Sequence, residues 1–242
     1  MGICSVVELY LFLVLPLHVF RNGSFNEGLK YWNSTILMGQ EVINFSMGTT
    51  EQKSLEHFPC AMVLTGNDTV WPAQFVWVRV NQNTAGHPLT ESSSLKLSLM
   101  INETNLKRIL LSADVAVIYV GFMVSKNNTT KCFIVYAWVV CETNSIKITE
   151  GTFSQYKFWS VVSLERFNGS LLENPVITFR RSIWQDLMSQ AIPTNGDWKI
   201  DEGIEIGVML WNIRPFDLPW SLTIYLGCLD ITYHWPLRNL WS

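Results

Sequence analysis

The chain has 242 residues, of which 48% are hydrophobic, 13% aromatic and 15% charged, so it is apolar enough to fold around a sizeable core. Its net charge of −3 gives no electrostatic footprint for phosphate binding, which draws its affinity from clustered Lys and Arg, and nucleic acid is excluded as a partner. The 11 Trp, 13 Phe and 7 Tyr favour strands over helices.

The first element is an apolar run, Val6–Phe20, interrupted by one Glu, one Pro and one His. About 15 residues are too few to span a bilayer as a helix, and they match the apolar region of a secretory signal. We therefore expect residues 1–20 to be a signal peptide and the protein to be secreted or displayed at the cell surface. Because His18, Val19 and Phe20 form a poor small-residue cleavage site, the alternatives are an uncleaved N-terminal anchor and a misjudged start codon. An anchor would be the only contact with a membrane.

Short apolar segments separated by turn clusters follow the leader. Eight of them have strand length and are rich in β-branched and aromatic residues: 71–80, 94–101, 115–124, 132–140, 156–164, 174–181, 203–211 and 220–233. Their mostly hairpin-scale connections predict an all-β fold, an antiparallel β-sandwich or jelly roll. The segment 183–192 follows the cap candidate Ser182 and predicts one short helix. No linker, charge run or repeat divides the chain, so residues 21–242 are expected to form one domain.

Strand alternation predicts two unlike faces. In each of the segments 74–80, 133–141 and 203–211, one set of alternate residues is mainly aliphatic and is assigned to the core, and the other set is aromatic and polar. Aromatic rings with polar neighbours are what a sugar needs, because its flat C–H faces pack on Trp and Tyr. The alternative is that these aromatic residues are themselves buried. The candidate ligand-binding residues on the outer face are Trp77, Arg79, Tyr136, Trp138, Trp159, Glu205 and Trp211.

Sites of the form N-x-[ST] are dense in the first two thirds of the chain. This density predicts N-glycosylation and agrees with export, although Asn, Ser and Thr are also ordinary turn residues. The predicted acceptors are Asn22, Asn33, Asn44, Asn67, Asn102, Asn127, Asn128 and Asn168.

Four cysteines lie beyond the leader: Cys60, Cys132, Cys141 and Cys228. Cys132 and Cys141 bracket one predicted strand about 30 Å long, which is too long for a bond between them. In an exported protein, Cys60 and Cys228 would each pair with one of those two. Four buried free thiols are the alternative.

Both ends of the predicted domain resemble a known family. The segment 20–32, FRNGSFNEGLKYW, is similar to the opening N-G-x-F-E-x-G-L-x-x-W pattern of galactose-binding-like jelly-roll domains, especially the carbohydrate-binding modules of secreted glycoside hydrolases. The segment 221–233, SLTIYLGCLDITY, is similar to their closing strand. The resemblance implies a jelly roll in which the first and last strands are neighbours, and a carbohydrate ligand.

Members of this family often hold a structural calcium ion with acidic residues at these two ends. Here Asn26 follows the motif residue Phe25, and Gly227 and Cys228 stand where the closing acids are expected. Asp230 is the one acidic candidate in the closing strand, so a calcium ion is possible only with a changed ligand set.

The sequence favours binding over catalysis. It contains no G-x-S-x-G or H-E-x-x-H motif, and its histidines show no metal or triad spacing. We expect a non-catalytic domain that binds carbohydrate through an aromatic platform. Two alternatives are a viral or parasite type of glycoprotein that binds a host protein and a structural module of the cell surface, since Tyr, Trp and Arg also dominate protein interfaces.

Overall fold

A computed structural model describes residues 17–38, 43–50, 57–66, 75–83, 86–102, 115–126, 130–141, 158–167, 176–189, 197–211 and 221–234. These residues form thirteen strands and one helix. The strands are β1 (Leu17–His18), β2 (Asn33–Met38), β3 (Ile43–Thr49), β4 (Cys60–Gly66), β5 (Phe75–Gln82), β6 (His87–Pro88), β7 (Ser94–Ile101), β8 (Val115–Lys126), β9 (Thr130–Cys141), β10 (Phe158–Phe167), β11 (Val176–Ser182), β12 (Trp198–Trp211) and β13 (Ser221–Tyr233). The predicted all-β fold is confirmed, and all eight predicted strands are present.

The strands form two sheets. The six-stranded sheet has the order β11-β7-β13-β4-β3, with β1 paired to β13. The seven-stranded sheet has the order β10-β9-β8-β12-β5-β2, with β6 paired to β12. Every pair of strands is antiparallel except β9 and β10, which run parallel. The 16 residues between these two strands are enough for the crossover that a parallel pair requires.

One hydrophobic cluster contains core residues from both sheets. The cluster includes the alternate residues Val76, Val78 and Val80 of β5 and Ile206 and Val208 of β12. These are the aliphatic sets that strand alternation assigned to the core. Burial of alternate side chains between two sheets is the packing of a β-sandwich.

The predicted helix is present as α1, Ile183–Ser189. The Ser182 hydroxyl accepts a hydrogen bond from the Gln185 backbone N–H at 3.3 Å, which confirms Ser182 as the N-cap. Helices long and apolar enough to cross a membrane are absent from the described residues.

The opening motif folds into a compact turn around Asn22. The Asn22 carboxamide donates to the Gly28 carbonyl at 2.9 Å and accepts from the Glu27 backbone N–H at 3.0 Å. The Trp32 indole donates to the Asn22 carbonyl at 3.1 Å, and its ring lies 4.9 Å from the buried ring of Phe25. The motif residues therefore have a structural role in this protein.

The two end segments are neighbours, as the resemblance implies. The Leu229 backbone N–H donates to the Gly23 carbonyl at 2.7 Å. A Cβ atom at position 23 would lie 2.5 Å from the Leu229 carbonyl oxygen, so the turn and β13 approach each other too closely for a larger residue.

Candidate functional site

Three of the sequence-predicted binding residues meet on the outer face of the seven-stranded sheet. Trp77 and Arg79 lie on β5, and Glu205 lies on the neighbouring strand β12. Arg79 Nη1 lies 2.6 Å from Glu205 Oε2, which makes a charge-assisted ion pair. The Glu205 side chain is 8% exposed and the Arg79 side chain 33%, so the pair bridges the buried and the open parts of this face.

Tyr119 on β8 joins these residues and was missed by the sequence analysis. Its hydroxyl accepts a hydrogen bond from the Trp77 indole N–H at 2.7 Å and donates one to Glu205 Oε1 at 2.8 Å. Burial raises the pKa of the Tyr119 phenol above its usual value of 10.0, and the Glu205 carboxylate raises it further, so the hydroxyl stays a donor. We call the group Trp77, Arg79, Tyr119 and Glu205 the platform.

A glycine in the strand between β8 and β5 makes this network possible. Gly207 on β12 is paired with Tyr119 on one side and with Arg79 on the other. Because Gly207 has no side chain, the Tyr119 ring lies over it and its hydroxyl reaches Trp77 on β5. A glycine within a predicted strand was the sequence signal for this close approach.

The platform lies where the outer face changes from buried to exposed. Towards β8 and β9, the outer residues Val117, Val135 and Ala137 are buried and apolar. Towards the edge strand β2, the exposed Asn33 and Thr35 lie opposite the half-buried Asn81 and Arg79 in the register.

Trp77 is the aromatic residue that this arrangement presents. Its ring is half-buried, its N–H is bound to Tyr119, and the half-buried Phe75 packs edge-on at a centroid distance of 6.4 Å. A fixed aromatic ring beside amide, hydroxyl and guanidinium groups is able to stack on an apolar ligand face and to bind its polar groups.

Tyr136 and Trp138 lie elsewhere, and their assignment to the outer face is wrong. They are 0% and 1% exposed, and they face the core between the sheets. Phe179 of the opposite sheet packs against both rings, at centroid distances of 5.0 Å and 5.4 Å. The Tyr136 hydroxyl also donates to buried Asp186 on α1 at 2.8 Å. Tyr136 and Trp138 therefore connect the two sheets through Phe179.

For Trp159 and Trp211, only the strand position is described. Trp159 is paired with Phe133, and Trp211 is paired with Phe75 and Val115. Their side chains lie outside the described residues, and their part in binding stays a prediction.

The disulfide prediction is wrong for three of the four cysteines. Cys60, Cys132 and Cys228 are free thiols. Cys60 and Cys132 face the core, where an apolar environment suits a thiol, and burial raises the pKa of Cys132 to about 12. Cys141 is paired with Val115 in the ladder, and its side chain lies outside the described residues.

The surroundings of Asp230 do not fit a calcium ion. Its carboxylate contacts the His18 imidazole, whereas calcium takes oxygen ligands. Within the described part of the chain, no three His, Cys, Asp or Glu residues form a group that would hold a metal ion.

The predicted glycosylation acceptors differ in their surroundings. Asn33 and Asn44 are exposed, and Asn102 is half-buried. Asn22 is bound within its turn. The other four, Asn67, Asn127, Asn128 and Asn168, lie outside the described residues.

Several solved structures are similar to this chain. A structure described as carbohydrate-binding modules from the β-sandwich superfamily matches with a TM-score of 0.42 and 9% identity, over 86% of this chain and 60% of its own. The family 11 carbohydrate-binding module of a cellulosomal cellulase from Clostridium thermocellum matches with a TM-score of 0.38 and 9% identity, over 90% of this chain and 94% of the module. An ENZbleach xylanase mutant matches with a TM-score of 0.41 and 7% identity, over 90% of this chain and 85% of the xylanase.

No protein-family model matches the sequence, and no curated protein matches it. The chain spans less than two thirds of the first of these structures.

Proposed function

We propose that this protein is an exported glycoprotein that binds a carbohydrate, without cleaving it, on the outer face of its seven-stranded sheet. The observation that carries the proposal is the half-buried Trp77 ring, which Tyr119 holds in place beside Arg79. A ring that is already ordered loses little conformational freedom on binding, and this favours affinity.

The polar groups around Trp77 suit a ligand rich in hydroxyl groups. Asn81, Arg79 and Thr35 line the open side of the platform and offer both donors and acceptors. The Glu205 carboxylate neutralises the Arg79 guanidinium, so a neutral sugar fits this surface.

Both oxygens of the Glu205 carboxylate are used in contacts within the protein. One of its carboxylate oxygens accepts from Tyr119 and the other from Arg79. A general acid or base needs a carboxylate that reaches the substrate, so the platform supports a binding role.

A glycan array with isothermal titration calorimetry tests the proposal. We expect the wild-type protein to bind a neutral glycan and Trp77→Ala to lose at least about tenfold in affinity, since truncation of an aromatic hot-spot residue costs about 2 kcal/mol or more. Trp184→Ala is the matched control, because Trp184 is another half-buried tryptophan and lies on α1. Release of reducing sugar by the wild type would contradict the non-catalytic part of the proposal.

A protein partner is the second candidate function. The edge strand β2 exposes Leu37 and Met38, the latter with 54% of its surface accessible, and Met38 lies opposite Trp77 in the register. Apolar side chains on an exposed edge are typical of a protein interface. A folded wild-type protein that binds no glycan on the array would favour this candidate over carbohydrate binding.

A further inference from the structure

Residues at the end of the predicted leader form part of the sheet. Leu17 and His18 of β1 pair with Tyr233 and Thr232 of β13. The ladder continues past β1, because the Val19 backbone N–H donates to the Ile231 carbonyl at 2.8 Å. These bonds extend the six-stranded sheet along the C-terminal half of β13.

The side chains that follow β1 are part of the core. Val19 and Phe20 are both buried and belong to the hydrophobic cluster that contains residues of both sheets. The Phe20 ring lies 6.4 Å from the ring of Trp32, which closes the opening turn. Removing these side chains would open the core beside β13.

His18 provides the partner of a buried acid. Its imidazole contacts the carboxylate of Asp230, whose side chain is 10% exposed, while the His18 side chain is 63% exposed. A buried carboxylate needs hydrogen-bond partners, so a domain without His18 would lose the imidazole contact to Asp230.

We propose that Leu17–Phe20 stay in the mature protein as its first strand, so that processing of the leader removes nothing beyond Pro16. The proposal rests on the export part of the proposed function, and it shortens the predicted leader from 20 residues to at most 16. A segment of 16 residues is still within the length of a secretory signal.

The first experiment determines the N-terminus of the full chain after expression in cells with a secretory pathway. Intact-mass measurement after enzymatic deglycosylation, together with N-terminal sequencing, should place the first residue at Leu17 or earlier. A folded secreted protein that begins at His18 or later would overturn the proposal.

Hydrogen exchange on the same protein gives a second measurement that does not depend on export. A peptide covering Leu17–Phe20 should exchange at least about a hundredfold more slowly than an unstructured chain, because its backbone is bonded to β13. A peptide from Leu222–Leu226, in the middle of the same sheet, serves as the reference. Exchange of Leu17–Phe20 at the unstructured rate would overturn the proposal.

These measurements separate the two proposals. A chain that stays inside the cell and keeps Met1 contradicts export, and hydrogen exchange then still tests the place of Leu17–Phe20 in the fold. A secreted chain that begins at His18 or later contradicts this inference, and glycan binding is still tested by the Trp77 variant.

Discussion

The contact between Gly207 and Tyr119 gives a direct test of the platform. A Cβ atom at position 207 would lie closer than 3.0 Å to the Tyr119 ring carbons Cε1 and Cζ and to its hydroxyl oxygen, a separation that real Cβ atoms essentially never show. Gly207→Ala must therefore displace the ring or the strand, and overpacking of this kind costs about 1 to 3 kcal/mol. Displacing the ring also breaks the hydrogen bond to the Glu205 carboxylate, which contributes about 1.5 to 3 kcal/mol.

We expect Gly207→Ala to lower the free energy of unfolding by about 2.5 to 6 kcal/mol, the sum of these two contributions, measured by urea denaturation with an unchanged m-value. Gly48→Ala is the matched control. Gly48 also lies within a strand, but a Cβ atom there would meet nothing within 4 Å. We expect the control to change stability by less than about 0.5 kcal/mol.

A double-mutant cycle then separates the clash from other effects of the substitution. Tyr119→Leu removes the ring atoms and the hydroxyl that lie over Gly207 while it keeps an apolar side chain at a buried position. In the Tyr119→Leu background, Gly207→Ala should cost less than about 0.5 kcal/mol. An equal loss in both backgrounds, or a neutral Gly207→Ala in the wild type, would refute the reasoning.

Three further predictions concern individual polar side chains. Tyr136→Phe removes the donor to buried Asp186, so the free energy of unfolding in urea should fall by about 1.5 to 3 kcal/mol, and a neutral variant would contradict that role. Glycopeptide mass spectrometry of the secreted protein should find Asn33 modified and Asn22 unmodified, because both N–H groups of the Asn22 carboxamide donate within its turn; a glycan on Asn22 would contradict this. Burial raises the pKa of Asp230 above 3.8, so the folded protein binds this proton more tightly than the unfolded chain, and the contribution of Asp230 to stability falls as the pH rises above 3.8. Asp230→Asn should therefore gain stability relative to the wild type as the pH rises above about 4 in urea titrations, and a relative loss would refute the raised pKa of Asp230.

Strand composition was sufficient to predict most of the fold. The eight apolar segments became strands because β-branched and aromatic residues suit a pleated, half-buried surface. Of the five strands that were missed, β1 and β6 are very short, and β2 and β3 carry more polar sequences. The fifth, β4, is apolar and mostly buried, so its composition does not explain why it was missed. An edge strand such as β2 has one neighbour and mostly exposed side chains, so its sequence lacks a strong apolar pattern.

The alternation of residue types along a strand identified the outer face of β5 and β12, where one face is polar. It failed on β9, where both faces are apolar. Arg79 and Glu205 mark the outer side of β5 and β12, because a charged side chain avoids the core. On β9, Val135 and Ala137 alternate with Tyr136 and Trp138, and all four are buried. The two sets differ in size and not in polarity, so only the packing of Phe179 against the aromatic set decides which one faces the core.

The platform could not be predicted from local sequence spacing, because its residues lie on different strands. Trp77 lies on β5 and Tyr119 on β8, with β12 between them, so no local spacing in the sequence relates the two. Gly207 is what connects them, since its missing side chain lets a ring cross the middle strand. If ligand binding needs the Trp77 ring to be held in place by Tyr119, then Gly207→Ala should weaken glycan affinity. This effect would be indirect, because residue 207 lies beneath the Tyr119 ring. An affinity unchanged by Gly207→Ala, in a variant that remains folded, would mean that Trp77 binds its ligand without help from Tyr119.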